Sequence, residues 1–234
     1  MLKGYLVTSL MYADMRYELK MVFDALRIAE VQSWVFMHSN AFRKAYPERY
    51  VNNIYFDTNQ WEMLGAHLNG VDKRAKVRYR WYGKTWTPDK GQIEIKIKQG
   101  QLGYKKQQEI LKKISLRKSN WAEITKQLQD VSGQNIAKLF DIFSPVMINQ
   151  YKREYYISAD SMIRITLDYD MKVFDQTFSL RPNTKYEQSL KNNIVVEFKA
   201  SQQYHQKIAD TLAEFPLYCQ QHSKYLNGLE HLWA

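Results

Sequence analysis

The sequence predicts an antiparallel α+β protein in which about eight strands close into a β-barrel, with helices packed outside. Three observations carry that prediction. Apolar and polar residues alternate with period 2 along much of the chain. The segments that alternate, 15–22, 50–58, 74–82, 91–98, 103–111, 146–157, 162–169 and 193–199, are enough to close a barrel. No internal repeat, low-complexity tract or Pro/Gly/Ser linker divides the 234 residues, so one domain over 1–234 is expected.

Each helix has its own start signal. Asp24 can cap a helix through about residue 44, which Pro47 follows. Ser119 precedes NWAEITKQLQ, and Ser132 opens a short helix through Phe143. Segments 202–213 and 216–232 read as a closing helical pair, with Pro216 in the first turn of the second.

Side chains two residues apart share a face of a strand. On the first strand Arg16, Glu18 and Lys20 oppose Tyr17, Leu19 and Met21. Arg74, Lys76, Arg78 and Arg80 oppose Ala75, Val77, Tyr79 and Trp81. Glu94, Lys96 and Lys98 oppose three isoleucines, Arg164, Thr166 and Asp168 oppose Ile163, Ile165 and Leu167, and Glu197 and Lys199 oppose Val196 and Phe198. Such a face can simply be solvated. Yet cations outnumber acids on it, and like charges about 7 Å apart repel by roughly 2–3 kcal/mol at an effective dielectric of about 20. If the helices cover the apolar faces, the ionic faces enclose a cationic tunnel suited to a chain of phosphates and a divalent metal.

Composition agrees with that chemistry. Hydrophobic residues at 45% and aromatics at 14% supply an ordered core. The net charge of +10 favours an anionic partner: nucleic acid, a membrane surface or a phosphate-rich small molecule. The single cysteine, Cys219, excludes an internal disulfide framework, and the lack of CxxC or HExxH argues against structural zinc. The apolar run near the N-terminus is too short to span a bilayer, so a cytoplasmic chain is expected.

The stretches RYELK (16–20), NIYFDT (53–58), KVRYRWYG (76–83), IEIKIK (93–98), YKREYY (151–156), IRITLD (163–168), VVEFK (195–199) and SKYLNGL (223–229) resemble, in order, the VTC domain. This is the catalytic module of the vacuolar transporter chaperone polyphosphate polymerases, within the CYTH-like triphosphate tunnel metalloenzymes. The resemblance implies transfer of the γ-phosphoryl group of ATP to a growing inorganic polyphosphate chain, with Mn²⁺ or Mg²⁺. Carried over by motif and shared face, Lys20, Arg78, Arg80, Lys96, Arg164 and Lys224 take catalytic positions. Lys76, Lys98, Tyr151, Arg153 and Lys199 bind substrate, and Glu197 holds the metal with Glu18 as a second carboxylate.

Arg16 stands where CYTH-type hydrolases carry the first Glu of ExExK, which disfavours a two-metal hydrolase. His67 falls where another tunnel cation is expected. The membrane anchor and phosphate-sensing domain of eukaryotic members are not read in this sequence, leaving open a separate membrane-protein partner. Alternatives are a metal-dependent hydrolase of tripolyphosphate or nucleoside triphosphates, and a non-catalytic module that binds polyphosphate or pyrophosphate. Nucleic acid ranks last because no recognised motif appears. Among single residues, Asp168 is expected in a salt bridge to a tunnel arginine, Asp57 as a turn cap and Trp81 under a helix. Lys105, Lys106, Lys112, Lys113 and Arg117 read as a solvated basic surface.

Overall fold

A computed structural model of the chain describes residues 16–99, 102–190, 193–215 and 222–233. The strands are β1 (Arg16–Asp24), β2 (Arg43–Thr58), β3 (Lys73–Tyr82), β4 (Gly91–Gln99), β5 (Leu102–Ile110), β6 (Phe143–Ile157), β7 (Ile163–Asp175), the two-residue β8 (Gln188–Ser189) and β9 (Asn193–Ser201). The helices are α1 (Ile28–Met37), α2 (Glu62–Leu68), α3 (Trp121–Asp130), α4 (Gln134–Ala137), α5 (His205–Ala213) and α6 (Lys224–Leu232). All strand pairs are antiparallel, in the order β1-β9-β7-β6-β2-β3-β4-β5, with β8 beside β7.

The expected barrel is not closed by backbone. Among the described residues no ladder joins β1 to β5, although these two edges approach each other. Side chains bridge the seam instead: Lys96 of β4 forms an ion pair with Glu18 of β1. A lysine stem spans a gap that main-chain hydrogen bonds, which need strands about 4.8 Å apart, cannot. The sheet is therefore curled until β4, one strand in from the β5 edge, reaches β1 through an ion pair.

The apolar strand faces are covered as the alternation predicts. Met21, Phe23, Ile163, Ile165, Leu167, Val196 and Phe198 pack with Val31 and Val35 of α1 and Ile208 of α5. Val77, Tyr79, Trp81, Ile93, Ile95 and Ile97 form a second cluster with Trp121, Ile124 and Leu128 of α3. Trp81 is fully buried there.

Several boundaries differ from expectation, each for a physical reason. The first helix ends at Met37, where His38 turns extended, and Arg43 begins a strand that runs 16 residues. Pro47 does not end an element. It sits where the β2–β6 register shifts between Tyr46 and Arg49, a place where a missing N–H is tolerated. Asn120, one residue past the expected cap, closes a capping box with Glu123. Gly133 rather than Ser132 precedes α4, and Ser132 instead donates to Leu128 O. The last helix begins after Ser223, whose hydroxyl accepts from Leu226 N. Pro216 and Cys219 lie outside the described residues.

Phe198 lies edge-on to Phe215, ring centroids 5.0 Å apart, and is fully buried. Phe198→Ala is expected to destabilise the fold by about 3–5 kcal/mol, read as a lower urea midpoint at unchanged slope.

Candidate functional site

Residues directly opposite each other in a ladder share a face, so the register decides whether the charged positions form one surface. They do. Arg74 lies opposite Lys98, Lys76 opposite Lys96, and Arg78 opposite Glu94. Across β2, Asn53 meets Arg80 and Tyr55 meets Arg78. Arg153 faces Asp168, Arg164 faces Lys199, and Thr166 faces Glu197. Lys199 and Glu197 in turn face Glu18 and Lys20. The Lys96–Glu18 pair then joins the two ends of this row across the lumen.

Four carboxylates hold the cations in place. Glu94 is buried and takes Arg78 Nε at 2.7 Å, Lys105 Nζ at 3.1 Å and Arg80 Nη1 at 3.7 Å. Asp168 accepts a two-pronged contact from Arg153, at 2.5 and 2.6 Å, and Lys224 Nζ at 2.6 Å. Glu197 meets Lys199 at 3.0 Å, Lys20 at 3.8 Å and Arg153 at 3.9 Å. Glu18 pairs with Lys96. Burial raises each carboxyl pKa, but the neighbouring cations outweigh it. Asp168 is lowered to about 2, and Glu94 and Glu197 also fall below the usual carboxylate range. In Glu18 burial and the charge of Glu197 push up, and Lys96 and Lys199 prevail.

Cations remain in surplus at the Arg74 end. The Lys76 ammonium pKa lies well below the ordinary lysine value because of burial and then Lys20, Lys96, Arg78 and Arg74. Its hydrogen-bond partner is the neutral Ser223 hydroxyl, at 2.9 Å. Arg74 Nε is buried with no hydrogen-bond partner among the described residues. Lys98 is lowered by burial, Arg74 and Lys96. His67 sits in α2 bonded to Met63 O at 2.8 Å, with a pKa lowered to about 4 by burial and then Lys76. It is a neutral neighbour of the cations.

The start of α6 completes the surface. Lys224 reaches Asp168, Ser223 holds Lys76, and His222 O accepts from Lys20 Nζ at 3.0 Å. The His222 ring is buried beside Lys224 and Lys20, and its pKa falls to about 3, with burial the largest cause. Close approach anchors the helix: a Cβ on Gly228 would lie 2.4 Å from Met147 Sδ. Tyr225 donates to Asp57 at 2.5 Å, and Asp57 also accepts from Met63 N and Leu64 N. Asp57 is thus the cap expected of it, and Asp168 has its arginine partner.

Most predicted site residues converge. Lys20, Lys76, Arg78, Arg80, Lys96, Arg153, Lys199, Lys224, Glu18 and Glu197 share the lumen. Tyr151 joins them, its hydroxyl 3.4 Å from Arg80 Nη2. Burial raises the Tyr151 pKa, but Arg153 and Arg80 outweigh it and the net shift is downward. Arg164 and Lys98 are exposed, since they occupy strand ends where the face opens to solvent. Lys105 is exposed, as read, and also bonds Glu94, because β5 sets it opposite Lys96. Asn53, which accepts from Arg80 Nε at 2.7 Å, and Glu94 are further lumen groups. No group of three or more His, Cys, Asp or Glu is placed to hold a metal among the described residues, and no helix among them is long and apolar enough to cross a membrane.

Two outcomes follow. The folded pKa of Asp168 lies below its unfolded value of 3.8, so its contribution is full above that value and is lost as pH falls through about 2. Urea titrations at pH 5 and pH 2.5 should show a loss of about 1.5 kcal/mol from this group, absent in Asp168→Asn. Lys76→Met should raise Tm by about 2–4 °C, worth about 1 kcal/mol, while weakening tripolyphosphate binding about tenfold.

Comparison with known proteins places this geometry. The VTC domain matches residues 15–233. No curated protein matches the chain. A solved structure of a provisionally assigned adenylate cyclase from Vibrio parahaemolyticus is similar in fold, with a TM-score of 0.52 at 11% identity, covering 93% of this chain and 98% of that one. A second, from Bacillus halodurans and assigned in the same way, gives 0.49 at 14% identity, covering 90% and 96%. The chain has the fold of the Vibrio parahaemolyticus structure and belongs to the VTC domain family.

Proposed function

We propose that the protein is a polyphosphate polymerase that transfers the γ-phosphoryl group of ATP to the end of an inorganic polyphosphate chain inside the tunnel. The observation that carries this reading is the enclosed cation surplus. Lys76 lies opposite Lys96 in the ladder and is surrounded by four cations, Lys20, Lys96, Arg78 and Arg74, with only a hydroxyl to bond. A multivalent anion threaded along the lumen offsets that repulsion.

In such a transfer a terminal phosphate oxygen of the acceptor bonds to Pγ, the Pγ–O bond to the β-phosphate breaks, and ADP leaves. The transition state is loose, so catalysis is mainly positioning and charge stabilisation. Arg78, Arg80 and Arg153 offer planar forks to phosphate oxygens, and Lys20, Lys96, Lys199 and Lys224 offer point charges. Their carboxylate partners pre-aim them, so little reorganisation is needed when phosphate arrives. Tyr151 adds a hydroxyl at the same level.

Acceptor chemistry favours transfer over hydrolysis. The lumen carboxylates are held ionised, and one with a pKa of about 2 takes a proton from water poorly. A phosphate oxygen is already anionic and needs no base.

Glu18 and Glu197 would hold Mn²⁺ or Mg²⁺. Their hard oxygens, close enough for Glu197 to act on Glu18, fit an ion that takes its remaining ligands from phosphate and water. Such an ion neutralises charge developing on the leaving phosphate.

Incubation of the full chain with ATP and Mn²⁺ should yield polyphosphate and ADP, resolved on a urea gel. Arg78→Ala should lower the rate at least about hundredfold. Release of inorganic phosphate without chain growth would select the hydrolase, and salt-sensitive polyphosphate binding without turnover would select a binding module.

A further inference from the structure

One mouth of the tunnel carries a cluster that the phosphate chemistry leaves unused. Arg49 of β2 lies opposite Arg153 and so faces the lumen. Its guanidinium carbon is 4.4 Å from the ring centroid of Tyr82 and 4.7 Å from that of Tyr155, with Tyr46 at 5.8 Å. Its Nε donates to Tyr155 Oη at 3.1 Å, and it makes no carboxylate ion pair among the described residues. Tyr46 and Tyr82 are 60% and 39% exposed and Arg49 and Tyr155 are half-buried, so the two outer rings present faces to solvent at the rim. The collar is continuous with the lumen, because the Arg153 guanidinium lies 5.9 Å from the same Tyr155 ring.

We propose that this collar is the nucleobase subsite, stacking the purine of a nucleoside triphosphate while its phosphates extend into the tunnel. The inference rests on the phosphate-tunnel reading above. A plain polyphosphate donor would need only cations at the rim. Tyrosine rings around a planar guanidinium are what a flat heterocycle recognises, and they accept any base with a π face, the larger purines best. Arg49 has no carboxylate partner among the described residues, and the exposed Tyr46 and Tyr82 rings beside it are the faces a base would meet. ATP and GTP should therefore bind alike and more tightly than CTP or UTP.

The test is titration calorimetry of the full chain with ATP and, separately, with tripolyphosphate, for wild type, Tyr82→Ala, Tyr82→Phe and Arg49→Lys. Tyr82→Ala and Arg49→Lys, which keeps the charge but loses the planar fork, should weaken ATP about tenfold and leave tripolyphosphate within twofold. Tyr82→Phe should retain ATP affinity, since the ring remains. If ATP and tripolyphosphate weaken together, or neither changes, the collar is not a base site. Wild type binding tripolyphosphate as tightly as ATP would also sink it while leaving the tunnel reading intact. If wild type binds neither, both readings fail.

Discussion

The structure depends on a constraint that is electrostatic before it is catalytic: many cations are confined on the concave face of one curled sheet. Water would screen such a set at little cost on an open surface. Enclosed, it survives because Glu94, Asp168 and Glu197 each neutralise several cations at once, and Glu18 ties the seam. These carboxylates are few, so compensation is partial, and the uncompensated region is where phosphate is most useful. The protein thus retains local instability at the place where the proposed function puts its ligand.

Geometry follows from the same compromise. Ion-paired arginines have defined positions, since each fork is already fixed by a carboxylate or by Asn53. The lysines toward α6 are held too, Lys224 by Asp168, Lys20 by the His222 carbonyl and Lys76 by Ser223.

Much of this was legible from alternation alone. Parity along each strand assigned Lys20, Arg78, Lys96 and Glu197 to one face, and the apolar residues between them to the helices, because a strand buried on one side leaves little choice of face. What parity cannot give is register. The contact of Lys105 with Glu94 was missed because nothing local says that β5 sets it opposite Lys96 and within reach. The exposure of Arg164 escaped for the related reason that strand ends are invisible to period-2 patterning. Pro47 misled because its local meaning, a break, was overridden by a β-bulge that depends on pairing with a segment about a hundred residues away. Sheet closure was overestimated because strand count does not determine whether the last edge finds the first.

The seating of α6 has a consequence for how the protein comes into being. Lys20 bonds a carbonyl 202 residues further along the chain, and among the described residues β1 finds its only ladder partner in β9. Contacts of such sequence separation carry a large loop-closure entropy and are made slowly. On a ribosome the lumen would therefore stay unfinished until α6 has emerged.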